Sequence, residues 1–143
     1  MEWMREDGYL ISTDKQRLDI DYIYHWLSEQ SYWAQGRSRE TVEQSITNSL
    51  CFGLHHGSRQ VGFARVVTDL ATFGWLCDVY VDESDRDRGL GKWLVQTVVN
   101  HPDLSQIRRL MLATRDAHKL YRKYGGFEML GRPERWMAKT QSV

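Results

Sequence analysis

The chain has 143 residues, 41% of them apolar, with 19 Lys+Arg balanced by 19 Asp+Glu and only 2 prolines. That length suits one domain, spanning 1–143, able to bury a core without metal or disulfides, and the zero formal charge argues against a protein that coats nucleic acid or an anionic membrane. The N-terminus, Met1-Glu2-Trp3-Met4-Arg5, lacks the apolar run of a signal peptide, and no apolar stretch approaches the ~18 residues of a membrane span, so the expected location is the cytoplasm.

Taken in chain order, Tyr9 to Ser12 reads as a short strand. Asp19 is placed to cap a helix reaching about Glu29, with Ile20, Ile23 and Leu27 on one face. Tyr32 to Arg37 is an aromatic loop, and Ser38 caps a second helix in which Val42, Ile46 and Leu50 recur four apart. Phe52 to His56 is a strand whose adjacent histidines, His55 and His56, face opposite sides, and Gly57-Ser58 is a turn. Gln60 to Asp69 is a strand with Val61, Phe63 and Val67 on one side; Phe73 to Asp82 is another, closed by a polar loop.

Leu90 to Asn100 carries the clearest helical pattern, with Leu90, Trp93, Leu94, Thr97 and Val98 on one stripe, and Pro102 stops it. Leu110 to Ala113 is a strand, Asp116 to Tyr124 a helix ended by Gly125-Gly126, and Phe127 to Leu130 and Trp136 to Ala138 are two final strands. The order gives a mixed α/β architecture around one sheet. Cys51 and Cys77 sit among apolar neighbours and read as buried and reduced, with a disulfide between them as the alternative. No Cys/His spacing fits a zinc site, so no metal is expected.

The chemistry concentrates in Arg86-Asp87-Arg88-Gly89-Leu90-Gly91, between a strand and the strongest helix. A helix N-terminus offers unpaired N–H groups and a partial positive charge. The two glycines allow close backbone approach, and Arg86, Arg88 and Lys92 add cationic donors, which together suit a pyrophosphate. Gly-x-Gly before a helix also occurs as a plain tight turn. The segment has neither P-loop spacing nor that of a dinucleotide-binding fold.

Arg86-x-x-Gly89-x-Gly91 resembles the acyl-CoA signature of the GNAT superfamily of N-acetyltransferases: Gln or Arg, two residues, Gly, one residue, then Gly or Ala. Leu76-Cys77-Asp78-Val79-Tyr80-Val81 resembles that superfamily's central strand. Ala117-His118-Lys119-Leu120-Tyr121-Arg122-Lys123 followed by Gly125-Gly126-Phe127 is similar to its second motif, in which a single Gly usually precedes the Phe. The resemblance spans residues 9 to 139. It implies an acyl-CoA N-acyltransferase-like fold, with a mostly antiparallel central sheet flanked by helices, and direct transfer of acetyl from acetyl-CoA to an amine. A non-catalytic acyl-CoA-binding or sensing module on the same fold is the alternative.

By that resemblance the cofactor contacts fall on Val79, Tyr80, Val81, Arg86, Asp87, Arg88, Gly89, Leu90, Gly91 and Lys92, and on Thr114, Ala117, Leu120 and Lys123. Thr114 stands where the family often has an Asn. Tyr121 matches the family's general acid, against a purely structural role. Asp78 is the candidate base; the competing readings are a carboxylate bonded to Arg65, Glu83 in the loop, or a water chain. The first two helices and their loop would take the acceptor, a small-molecule or peptide amine, through Tyr22, Trp26, Tyr32 and Trp33, since aromatics with carboxylates suit a cation. The competing reading is that Trp26 is core and that Asp19 and Asp21 cap a helix. Many relatives are dimers, and an exposed strand edge would suit a homodimer contact.

Overall fold

The structure, a computed structural model, describes residues 1–141, so the last two residues of the expected 1–143 domain lie outside the description. Six strands form one sheet in sequence order: β1 (Glu2–Met4), β2 (Tyr9–Ser12), β3 (Leu50–His56), β4 (Arg59–Thr68), β5 (Phe73–Val81) and β6 (Arg109–Met111). Every pairing is antiparallel except β5 with β6, which is parallel. The helices are α1 (Ile20–His25), which loosens into a π turn over Trp26–Gln30, α2 (Arg39–Thr47), α3 (Leu90–Val99) and α4 (His118–Gly125).

Each face of the sheet has its own core. On one face Ile23, Trp26 and Leu27 of the first helix and Val42 and Ile46 of α2 pack on Phe63 and Tyr80. On the other, Leu90, Leu94, Val95 and Val98 of α3 and Tyr121 of α4 pack on Phe52, Leu54, Ala64, Val66 and Leu76. Asp19 caps α1 by accepting from the Tyr22 amide, and Ser38 caps α2 by accepting from that of Thr41. His55 is buried and His56 exposed, as adjacent strand residues should be.

Several expectations need correction. The first strand, β1, is additional to the reading; it is three residues long and pairs Trp3 with Ile11. Leu50 opens β3 rather than continuing α2, which ends at Thr47. Val61 and Phe63 pack in different layers and Val67 is 43% exposed, because the β4 ladders shift register on both sides. Phe127 to Leu130 and Trp136 to Ala138 form no strand. Gly126 turns left-handed (φ 74°) and the Phe127 N–H donates to the Tyr121 carbonyl, so the chain folds back onto α4 instead of entering a ladder. Pro133, which has no N–H to give, then sits in a 3₁₀ turn between the two segments. The disulfide alternative also fails. Cys51 and Cys77 flank Arg65 from opposite sides, two strand spacings or ~10 Å apart, beyond the reach of a bridge; both are free.

Candidate functional site

β5 and β6 are zipped for only three rungs, Phe73–Arg109, Gly74–Leu110 and Trp75–Met111. Beyond Trp75, β5 runs on to Val81 while β6 has ended, so the edge of β5 from Leu76 onward faces a gap. A cavity of about 450 Å³ occupies it. Leu76 to Val79 form one wall, Ala113 to Ala117 and Tyr121 the second, and Tyr32, Trp33, Arg37 and Arg65 the third.

A bulge sets which side chains meet there. Phe63 pairs with Tyr80 and Arg65 with Cys77, so β5 carries one extra residue. Asp78 has a left-handed φ of 53°, a conformation non-glycine residues seldom adopt. The insertion breaks the alternation of the strand. Leu76 and Val79 therefore both face the α3/α4 layer, although three residues apart, while Tyr80 belongs to the α1/α2 layer. Asp78, which regular alternation would put with Leu76, instead meets Trp33, Arg37 and Arg65.

Both Asp78 oxygens are engaged. Trp33 Nε1 donates to Oδ1 at 2.8 Å; Arg37 Nη1 and Arg65 Nε both donate to Oδ2 at 2.9 Å. The Asp78 side chain is 1% exposed, against 22% for Arg37 and 11% for Arg65. Two cations and an indole N–H fix the carboxylate, and it in turn holds the α1–α2 loop against the sheet.

Tyr121 sits across the cavity on α4, buried, with its ring edge-on to Phe127. Burial pushes its phenol up to about 12, with a smaller contribution from nearby Tyr32. Tyr124, three residues on, is half-buried and faces the ammonium groups of Lys92 and Lys123 at 5.0 and 5.3 Å.

The glycine-containing loop is held from both ends. Asp85 is buried, accepting from the Tyr9 hydroxyl at 2.7 Å and from Arg59. Asp87 and Gly89 are left-handed (φ 65° and 72°), and α3 begins at Leu90 without a side-chain cap. A Cβ on Gly91 would meet nothing within 4 Å, and one on Gly89 only the Arg5 guanidinium at 3.9 Å. The backbone there is open to a ligand. Arg88 and Lys92 are exposed, whereas Arg86 turns its Nε back to the Val81 carbonyl at 3.3 Å.

The other expected residues divide. Thr114 and Ala117 line the cavity, and the Thr114 hydroxyl accepts from the Ala117 amide at 3.0 Å, a local brace at the start of α4. Leu120 packs against the α3/α4 core, Leu90 is inside it, and Val81 packs on it. Of the acceptor set, Tyr32 and Trp33 line the cavity. Trp26 does not: its ring stacks in the core on that of Tyr80, one of the expected cofactor residues, centroids 3.7 Å apart and 4° from parallel, so Tyr80 turns its side chain away from the cavity as well. Tyr22 is half-buried, its hydroxyl donating to Asp82 at 3.4 Å.

Two arginines escape the sequence reading. Arg5, between β1 and β2, donates from Nη2 to the Arg88 carbonyl at 3.0 Å and pairs with Asp7, bracing the loop across 83 residues of sequence. Arg115 lies over the Tyr32 ring at 3.8 Å, and its backbone N–H donates to the Tyr32 hydroxyl at 3.1 Å, joining two cavity walls. No spacing rule signals either contact.

The half-zipped sheet, the open glycine loop and the cavity-facing tyrosine can be set beside known proteins. The sequence model of the acetyltransferase (GNAT) family matches residues 20–127. The chain belongs to that family. Relatives of this chain include the Gibberella zeae protein FG08082, named provisionally as an acetyltransferase, 33% identical over 88% of this chain and 82% of its own length. A crystal structure of a GNAT-family protein (xcc2953) of Xanthomonas campestris pv. campestris, likewise provisionally an acetyltransferase, superposes with a TM-score of 0.90 at 44% identity, covering 93% of each chain. A GNAT acetyltransferase of Elizabethkingia anophelis, solved with acetyl-CoA bound, shares the fold at a TM-score of 0.61 and 18% identity, over 83% of this chain and 76% of that one. Among the described residues, no helix is long and apolar enough to cross a membrane.

Proposed function

We propose that this GNAT protein transfers an acetyl group from acetyl-CoA directly to a primary amine in the β5/β6 cavity. The observation that carries the proposal is the unzipped edge of β5, which leaves strand backbone free beside Tyr121 and leads toward the open start of α3. The residues fit the co-substrate. Val79 and Val81 offer main-chain groups to an extended arm as an added strand would, and Thr114 and Ala117 line the same gap. The amides of Leu90, Gly91 and Lys92, with the Arg88 and Lys92 side chains beside them, suit a pyrophosphate at a helix N-terminus.

Acetyl-CoA supplies the activated acyl group as a thioester. The residues supply position and polarity. A β5 backbone N–H at Val79 stabilises the charge that develops on the carbonyl oxygen. Tyr121, with its phenol near 12, stays protonated through the working pH range and donates to the departing sulfur. Full proton transfer to a thiolate whose reference pKa is ~8.5 is uphill, so its main contribution is a hydrogen bond that strengthens as charge builds. Asp78, with both oxygens already accepting, acts as a positioning residue, and the amine loses its proton through water at the cavity mouth. The test is thiol release from acetyl-CoA over a panel of amines. Turnover with at least one amine, reduced in Tyr121→Phe, supports the proposal; absence of turnover despite binding of acetyl-CoA would favour a sensing module instead.

A further inference from the structure

The cavity wall opposite Tyr121 carries more positive charge than it neutralises. Asp78 is the one buried carboxylate among its lining residues, and it pairs with two guanidinium groups, those of Arg37 and Arg65. One unit of positive charge is left over. Arg65 is held by two bonds, Nε to Asp78 and Nη1 to the Ser49 hydroxyl. Arg37 uses only Nη1, and its Nε and Nη2 have no partner among the described residues. Arg115 brings another guanidinium to the same mouth, held over the Tyr32 ring; its own carboxylate neighbour, Asp116, stands at 3.7 Å and both are largely exposed, a weak pair. A surplus cation in a partly desolvated pocket is unfavourable unless an anion completes it. A guanidinium with free parallel N–H groups is matched by a carboxylate.

We infer that the acceptor is a small amine that also bears a carboxylate, an amino acid, with Arg37 as the residue that selects for it and Arg115 assisting. The inference rests on the proposed acetyl transfer. The shared space carries it beyond mere anion binding. Arg37 is anchored on Asp78, while the reacting end lies at Val79 and Tyr121, and all four line one cavity of about 450 Å³. Amine and acid therefore belong to one compact acceptor, which a polyamine or the side chain of a protein lysine does not offer. Tyr32 and Trp33 alone suggest a cationic pocket, but the two arginines on Asp78 reverse the sign of the site. In the reaction the acceptor ammonium gives one proton to water. Its nitrogen then forms the N–C bond as the C–S bond breaks, the second nitrogen proton passes through water to the departing sulfur, and the sulfur leaves as the free thiol while Tyr121 donates a hydrogen bond to it.

The test compares the common amino acids, each beside its own carboxamide, with putrescine and spermidine as extended amines. Thiol release gives kcat/KM, and calorimetry in the presence of CoA gives acceptor affinity. At least one amino acid should exceed its carboxamide tenfold or more, mostly through KM. Arg37→Gln should abolish that preference while acetyl-CoA still raises the melting temperature, and Arg37→Lys should restore part of it, guarding against a variant that fails to fold. Equal or faster turnover of carboxamides or polyamines would overturn the inference and leave acetyl transfer standing. Loss of the acetyl-CoA stabilisation in the unmutated protein would overturn the underlying function instead.

Discussion

Replacing Asp78 by Asn separates a structural carboxylate from a catalytic one. Asn keeps the shape but brings an N–H₂ group against donors, since Arg37 Nη1 and Arg65 Nε both point at Oδ2. It also leaves two guanidinium groups without a counter-charge in a site where the Asp side chain is 1% exposed. Breaking a buried ion pair from one side costs roughly 3–5 kcal/mol, and the partial exposure of Arg37 points to the lower end, about 3 kcal/mol. In a domain of this size that lowers the melting temperature by roughly 10 °C. Calorimetric or urea unfolding of the wild type and Asp78→Asn reads the loss directly. Adding Arg65→Met should recover part of it, because the two positions share one interaction. The pH dependence of kcat/KM in the folded variant should keep its shape. An unchanged melting temperature together with loss of the low-pH limb would refute the argument and make Asp78 the base.

Tyr121→Phe should lower kcat by about 10²-fold with acetyl-CoA binding, read by calorimetry, nearly unchanged; full activity in chemistry-limited turnover would remove its donor role. Gly91→Val enters open space, so it should cost less than about 1 kcal/mol of stability while sharply weakening acetyl-CoA binding; intact binding would place the pyrophosphate elsewhere. Stability should fall as pH rises. Burial raises Cys77 from 9.0 to about 11, Cys51 from 9.0 to about 12 and Tyr121 from 10.0 to about 12. The unfolded chain then releases protons first and the folded state loses ground from about pH 9 upward. A urea midpoint flat from about pH 8 to about pH 10.5 would contradict that.

What the sequence made legible was local. Asp19 and Ser38 announce helix starts by side-chain chemistry, and the α3 stripe and the Arg86–Gly91 loop are contiguous in the chain. Contacts decided across the fold were not legible. The Asp78–Arg65 pair was one of the readings the sequence offered, but the left-handed turn at Asp78 has no glycine to mark it, and the contacts to Arg37 and Trp33 that complete the cluster carry no local signal. Tyr22 and Trp26 have the composition of an acceptor pocket, but Trp26 stacks on Tyr80 and leaves only Tyr32 and Trp33 at the cavity. The strand-like pattern after residue 126 lost to a helix end whose Phe127 N–H bonds back to Tyr121. Arg5 meets Arg88 across the sheet with no periodicity to signal it.

Thermal unfolding with and without acetyl-CoA, with plain acetate as control, tests the central claim most directly. At 100 times its dissociation constant the co-substrate should stabilise the native state by about 2.7 kcal/mol, a shift of several degrees, with none from acetate. No shift at millimolar acetyl-CoA would contradict the assignment of the β5/β6 gap as an acyl-CoA site.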